Sequence, residues 1–137
     1  MYISAMFHTQ VVKFMKKIIA ILLLLTLNSC FLFEENGIQI KIKNHSSQEI
    51  SNVKFTTTEK LEVIEINSIA PNETVTKFLS MKHNKFDGGY VLYVTRSNGK
   101  AEISECGYYT NGSSLNKWID FTVENDTTIV KFDATQF

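Results

Sequence analysis

From Gly37 onward the apolar positions recur at every second residue. Ile38, Ile40 and Ile42 alternate with Gln39, Lys41 and Lys43, the spacing of a strand with one buried face, because successive side chains point to opposite sides of a sheet. The polar stretch Asn44 to Glu49 reads as a turn. A second strand is predicted from about Ile50 to Thr57, with Val53 and Phe55 inward, and a third from about Leu61 to Ile66. In that third strand the apolar parity changes between Val63 and Ile64, so a bulge or burial on both faces is expected there. Pro71, the single proline, lies in Ile69-Ala70-Pro71-Asn72-Glu73-Thr74 and marks a turn between sheets, with a fourth strand following from about Thr74 to Ser80.

Asp87-Gly88-Gly89 breaks the pattern again. Tyr90 to Thr95 is apolar on both parities, as a central strand would be. Asn98-Gly99 predicts a tight two-residue turn with positive φ at both positions, pairing Tyr90 to Arg96 antiparallel with Lys100 to Cys106. Closing strands are expected over about Leu115 to Val123 and Thr127 to Phe132, with Ile119, Phe121 and Val123 on one inward face. These segments predict an all-β fold, an antiparallel β-sandwich of about seven to eight strands with no helix after the N-terminal segment. The runs Ile42-Lys43-Asn44-His45-Ser46, Ile50-Ser51-Asn52-Val53 and Ile69-Ala70-Pro71-Asn72-Glu73-Thr74 resemble small immunoglobulin-like modules of exported bacterial proteins. That resemblance spans about half of the sandwich segment and implies fold alone, since many functions share such a fold.

The first third of the chain has a different pattern. Met15-Lys16-Lys17 precedes a ten-residue, mainly apolar run from Ile18 to Leu27, long enough for a signal-peptide core and well short of the ~20 residues that span a bilayer. The residues that follow, Leu27-Asn28-Ser29-Cys30, resemble the lipobox of bacterial lipoprotein precursors. The resemblance implies cleavage before Cys30, acylation of its sulfur, and a third acyl chain on its amine in many bacteria. Each buried methylene contributes about 0.8 kcal/mol, so two or three chains anchor stably where one does not. An uncleaved anchor is the alternative, because Phe31-Leu32-Phe33 prolongs the apolar stretch. The expected organisation is a signal peptide over 1–29, preceded by a dispensable 1–14 if translation starts at Met15, then a lipid-anchored tether over 30–37 and the sandwich over 38–137. Glu34 and Glu35 also resemble the acidic signal that, in one group of Gram-negative bacteria, sends lipoproteins to the outside of the outer membrane. The expected location is therefore the cell envelope, with the outer membrane favoured on its periplasmic or surface face.

Charge changes the picture once the signal peptide is removed. The whole chain balances 14 basic against 14 acidic side chains. Loss of residues 1–29 takes away Lys13, Lys16 and Lys17 and no acid, leaving a formal charge of about −3. Such a surface argues against nucleic acid, whose phosphates require a concentrated basic face. The one local basic cluster, Lys77, Lys82, His83 and Lys85, reads as solvated charge. With Cys30 acylated, Cys106 has no partner for an internal disulfide, and a small buried thiol is expected there.

No nucleophile elbow, zinc-protease helix, phosphate loop or dinucleotide fingerprint occurs, so a non-enzyme without cofactor or metal is expected. A Cys106 nucleophile would need a nearby base such as His45 or His83 and an electropositive setting, and no family signature surrounds it; nothing in the spacing of the two histidines suggests that they converge on a metal. Asn84 with Asp87 supplies too few oxygens for calcium. Glu62 with Glu65, and Glu102 with Glu105, fall on opposite faces of regular strands and do not make a glycosidase pair. The candidate for recognition is the 107–118 segment, where Tyr108, Tyr109, Asn111 and Trp118 combine ring area with small polar groups suited to a glycan or protein partner. The competing account is structural, with one tyrosine in the core and Asn111-Gly112 as a turn. The resulting expectation is an envelope lipoprotein, held to the membrane through Cys30, whose sandwich is a binding or assembly module. A small envelope hydrolase, a structural spacer and a periplasmic inhibitor are the alternatives.

Overall fold

Ile38, Ile40 and Ile42 are each fully buried along β1 (Gly37–Asn44), while Gln39, Lys41 and Lys43 face solvent. The structure, a computed structural model, describes residues 15–17 and 35–133. Met15–Lys17 is a helical turn within a separate N-terminal unit, 1–34. Cys30 and the apolar run before it lie outside the described residues, and none of the helix described is long and apolar enough to cross a membrane.

After β1 come β2 (Ile50–Thr57), β3 (Val63–Ile69), β4 (Thr74–Ser80), β5 (Gly88–Thr95) and β6 (Ala101–Thr110). The two-residue β7 (Ser113–Ser114), β8 (Trp118–Val123) and β9 (Thr128–Phe132) complete the domain. One sheet runs β4-β1-β8-β9 and the other β3-β2-β5-β6-β7, so the protein is an all-β sandwich with β5 central, as its two-parity apolar pattern requires. The core lies between the sheets. Phe55 stacks on Tyr90 at 6.0 Å and meets Phe121 edge-on at 5.7 Å, joining the two layers through one aromatic cluster. Ile119, Phe121 and Val123 are all buried, as their spacing predicted.

Four local features depart from the sequence expectations. The sandwich is not wholly antiparallel, because β1 pairs parallel with β8, Ile40 opposite Ile119 and Ile42 opposite Phe121. That arrangement closes the sheet between the first and last long apolar faces, and alternation within single strands carries no information about it. The parity change sits in β2 and not at Val63. Asn52 adopts φ 48° and the β2/β5 register slips between Ser51 and Lys54, which turns Val53 and Phe55 inward behind Ile50. Val63 is simply an outward residue at the start of an edge strand, 47% exposed.

The Asn98-Gly99 hairpin has the predicted strand pairing, but its loop holds three residues and only Gly99 has positive φ. Gly99 N–H donates to Arg96 O at 2.8 Å, a turn followed by a left-handed glycine. The two-residue turn with both φ positive is instead Asn111-Gly112, at 48° and 72°, where Thr110 pairs with Ser113. β6 therefore continues past Cys106 to Thr110 through a bulge at Gly107, φ 63°. Leu115 to Lys117 is a loop, leading into β8 at Trp118.

The sandwich has two distinct ends. The chain enters at the first, where Asn36 Nδ2 donates to Met81 O at 3.1 Å and to Gly112 O at 2.9 Å, tying together the β4–β5 and β6–β7 connections. At the opposite end lie the loops 45–49, 70–73, 96–100 and 124–127. Asn44, fully buried, braces that end. Its Nδ2 donates to Gln48 O at 2.8 Å and Ile69 O at 2.9 Å, and its Oδ1 accepts from Ser46 N and Oγ.

Candidate functional site

The four residues singled out in the 107–118 segment do not form one surface. Tyr109 is fully buried, tilted against Tyr90 at 5.6 Å, with its hydroxyl donating to Glu59 Oε1 at 3.1 Å. Its ring is core and cannot stack on a ligand, because β6 alternation past the Gly107 bulge turns it inward. Tyr108 is 50% exposed on the outer face of its sheet, and Trp118 is 38% exposed on the other sheet. Asn111 is spent on the turn, its N–H donating to Asp87 Oδ1 at 2.8 Å. What the segment builds is a carboxylate-stapled loop cluster.

Two acids organise that cluster. Asp87 accepts from Asn111 N, from Tyr108 Oη at 2.7 Å and from Thr110 Oγ1 at 2.9 Å, and these bonds hold its carboxyl below the usual range. Glu59 accepts from Asn84 Nδ2 at 2.9 Å, Lys85 N at 3.2 Å, Phe86 N at 3.3 Å and Tyr109 Oη. Desolvation pushes its pKa up, but those donated bonds outweigh it and the net shift is downward. Both carboxylates are thus acceptors for the fold, which leaves little capacity for a metal. Among the described residues no group of three or more His, Cys, Asp or Glu is placed to hold one.

The remaining chemical candidates are separated. Cys106 faces the core, and burial pushes its thiol up to about 11, so it is protonated at neutral pH. His45 sits at the loop end opposite the chain entry, with Nδ1 2.9 Å from Glu124 Oε1, whereas His83 lies in the β4–β5 loop at the other end. Glu105 is exposed while Glu102 points inward, as alternation predicted. Glu65 pairs with Lys54 at 2.7 Å.

The site that sequence reasoning missed is at the end remote from Asn36. A cleft of about 230 Å³ opens between the 46–50 segment, Arg96, Ser97 and Asn125. Arg96 is its buried charged member, 6% exposed, beside the buried Ser46 and Ile50. Its Nε donates to Glu102 Oε2 at 2.7 Å, Nη2 lies 2.6 Å from the same oxygen, and Nη1 donates to the Glu124 carbonyl. Glu102 Oε1 in turn accepts from Thr128 Oγ1 at 2.7 Å, so one ion pair ties the β5–β6 hairpin to β9 in the facing sheet. Burial raises the Glu102 pKa, but the bonds from Thr128 and Arg96 and the positive charge of Arg96 and Lys100 more than reverse this.

The cleft walls are braced as well. Ser47 N and Oγ both donate to Asn125 Oδ1, at 2.8 and 3.0 Å, locking the β1–β2 loop to the β8–β9 loop. With Arg96 neutralised by Glu102, the lining presents hydroxyls, amides and the Glu49 carboxylate. Such walls suit an uncharged, hydrogen-bonding ligand better than an anion.

No protein-family model matches the chain, and no curated protein matches it. One solved structure, titled "NMR structure of the protein from Eubacterium rectale", is similar at 12% identity and a TM-score of 0.49, over 71% of this chain and 88% of that one.

Proposed function

We propose that this chain is a lipid-anchored protein of the bacterial envelope whose sandwich binds a polar partner, a protein or a glycan, without transforming it. The reading is carried by the braced cleft at the Arg96 end, where three loops supply small polar side chains over a buried, charge-neutral floor. The lipobox-like Leu27-Asn28-Ser29-Cys30 supports the anchor and the envelope location. A Cys106 thiol held protonated, and the Asp87, Glu59 and Glu102 carboxylates committed to hydrogen bonds and an ion pair, favour binding over a hydrolase.

A photo-crosslinking side chain at Ser97, on the cleft rim, tests the reading in living cells against the same group at Glu65 on the outer sheet face. Adducts formed from position 97 and absent from 65 are expected. Identical patterns from both positions contradict a cleft that recognises a partner.

A further inference from the structure

Apart from Met15, ten large apolar side chains among the described residues are at least 36% exposed, and they are unevenly placed. Eight belong to the half of the sandwich where β1 begins, among them Leu61, Phe78, Phe86, Tyr108, Leu115 and Trp118. The four loops of the opposite end contain none. Phe86 is the most exposed at 71%, yet its backbone is pinned on both sides: its N–H donates to Glu59 and its carbonyl accepts from Gly112 N at 2.9 Å. The same Glu59 contacts join the Leu61 loop to the Phe86 loop, so these two side chains project from one rigid tip.

The charges around the tip are divided by role. Asp87 and Glu59 are turned into hydrogen bonds with backbone and tyrosine donors, and Asp133 accepts from Lys117 N and Trp118 N. Lys60, Lys82, Lys85 and Lys117 are exposed, and none makes an ion pair among the described residues; Glu35 and Glu62 are the remaining acids nearby. Aromatic and aliphatic side chains ringed by free lysines are the composition that partitions into a lipid–water interface, where rings sit at headgroup level and lysines reach phosphates. Five residues separate Cys30 from Asn36, a span of at most about 22 Å when fully extended. A lipid on Cys30 therefore keeps this end, and not the cleft, near the bilayer.

We propose that the chain-entry end of the sandwich rests on the phospholipid surface, with Phe86 and Leu61 reaching the boundary between headgroups and acyl chains, and with Trp118 and Phe78 on one sheet and Tyr108 on the other flanking them at headgroup level. The domain is then held at two points, by its lipid and by this face, and the Arg96 cleft points away from the membrane. The proposal rests on the reading of Cys30 as lipidated.

The test uses the full chain made in bacterial cells, purified from the envelope in detergent and reconstituted into phosphatidylcholine vesicles with ordinary or brominated acyl chains. Trp118 is the single tryptophan, so F86W/W118F and S97W/W118F each carry one reporter, at the tip and at the far end. Emission from position 86 should fall at least about twofold on brominated lipid, with position 97 unaffected, because bromine quenches only indoles set into the acyl boundary. Wild-type Trp118 should fall between them. Equal quenching at 86 and 97, or none at either, in protein whose intact mass shows lipid on Cys30 overturns the docking and leaves the anchor standing. Protein without that lipid that stays off the vesicles overturns both.

Discussion

Replacing Arg96 with methionine removes the one charged side chain buried beneath the cleft. Its stem can still pack, so the loss falls on the guanidinium: the ion pair to Glu102 and the bond to the Glu124 carbonyl. Breaking a buried pair from one side costs about 3–5 kcal/mol, because the remaining charge is left uncompensated. Here Glu102 keeps Thr128 as donor and its side chain is 22% exposed, so water can reach it and a loss of about 2–3 kcal/mol is expected. For a domain of this size that lowers Tm by roughly 10–20 °C. Urea unfolding followed by Trp118 fluorescence measures it, on the chain from residue 30 carrying Cys30→Ser. The Glu102 pKa is lowered on folding, so its contribution is fully present above the unfolded carboxylate pKa, about 4.3, and is lost as pH falls through the folded value. The gap between wild type and Arg96→Met should therefore narrow below about pH 4. A loss under about 0.5 kcal/mol, the size of a solvent-screened surface pair, or a loss equal at pH 3 and pH 7, refutes the bridge as a structural element.

Asn44→Leu should destabilise the domain by about 3 kcal/mol in the same urea assay, since two buried carbonyls lose their donor and Ser46 loses its acceptor; a change below 1 kcal/mol contradicts the brace. Gly112 and Gly99 both have positive φ, but a Cβ at Gly112 meets the Asn84 backbone while one at Gly99 meets nothing. Gly99→Ala should cost about 1 kcal/mol and Gly112→Ala clearly more, and equal costs would show that the Asn111-Gly112 turn is not packed against Asn84. Cys106 in the folded domain should react with iodoacetamide at pH 8 at least about a hundredfold more slowly than free cysteine, recovering in urea. Reaction at the free rate would place the thiol outside the core.

The layered fold was legible because it follows from the alternation of single strands. Ile38, Ile40 and Ile42, then Ile119, Phe121 and Val123, each declare an inward face that the structure keeps. Which strands become neighbours is a long-range matter, and so the parallel β1–β8 pair left no local trace. The two-residue turn forms at Asn111-Gly112 and not at Asn98-Gly99 because the residues around each decide the register. Arg96 closes its hairpin opposite Lys100 and leaves three residues in the loop, while Gly107 shifts β6 by one position and leaves two at Asn111-Gly112.

The cleft had a signal that went unread. Arg96 shares the inward parity of Tyr90, Leu92 and Val94, and Glu102 shares that of Cys106 on the paired strand. Two opposite charges at inward positions flanking one turn predict a buried ion pair, since an unpaired charge there would be too costly. Tyr108 and Tyr109, by contrast, are adjacent residues that alternation must separate. Only the bulge at Gly107 determines which of them is buried.

The lipid on Cys30 is the claim on which the orientation of the whole molecule depends. Metabolic labelling with a fatty acid, in cells producing wild type or Cys30→Ala, tests it most directly. Label that enters the wild-type chain and disappears with Cys30→Ala is the predicted result. Label that persists in the variant, or never enters the wild type, contradicts the account of how this sandwich is held.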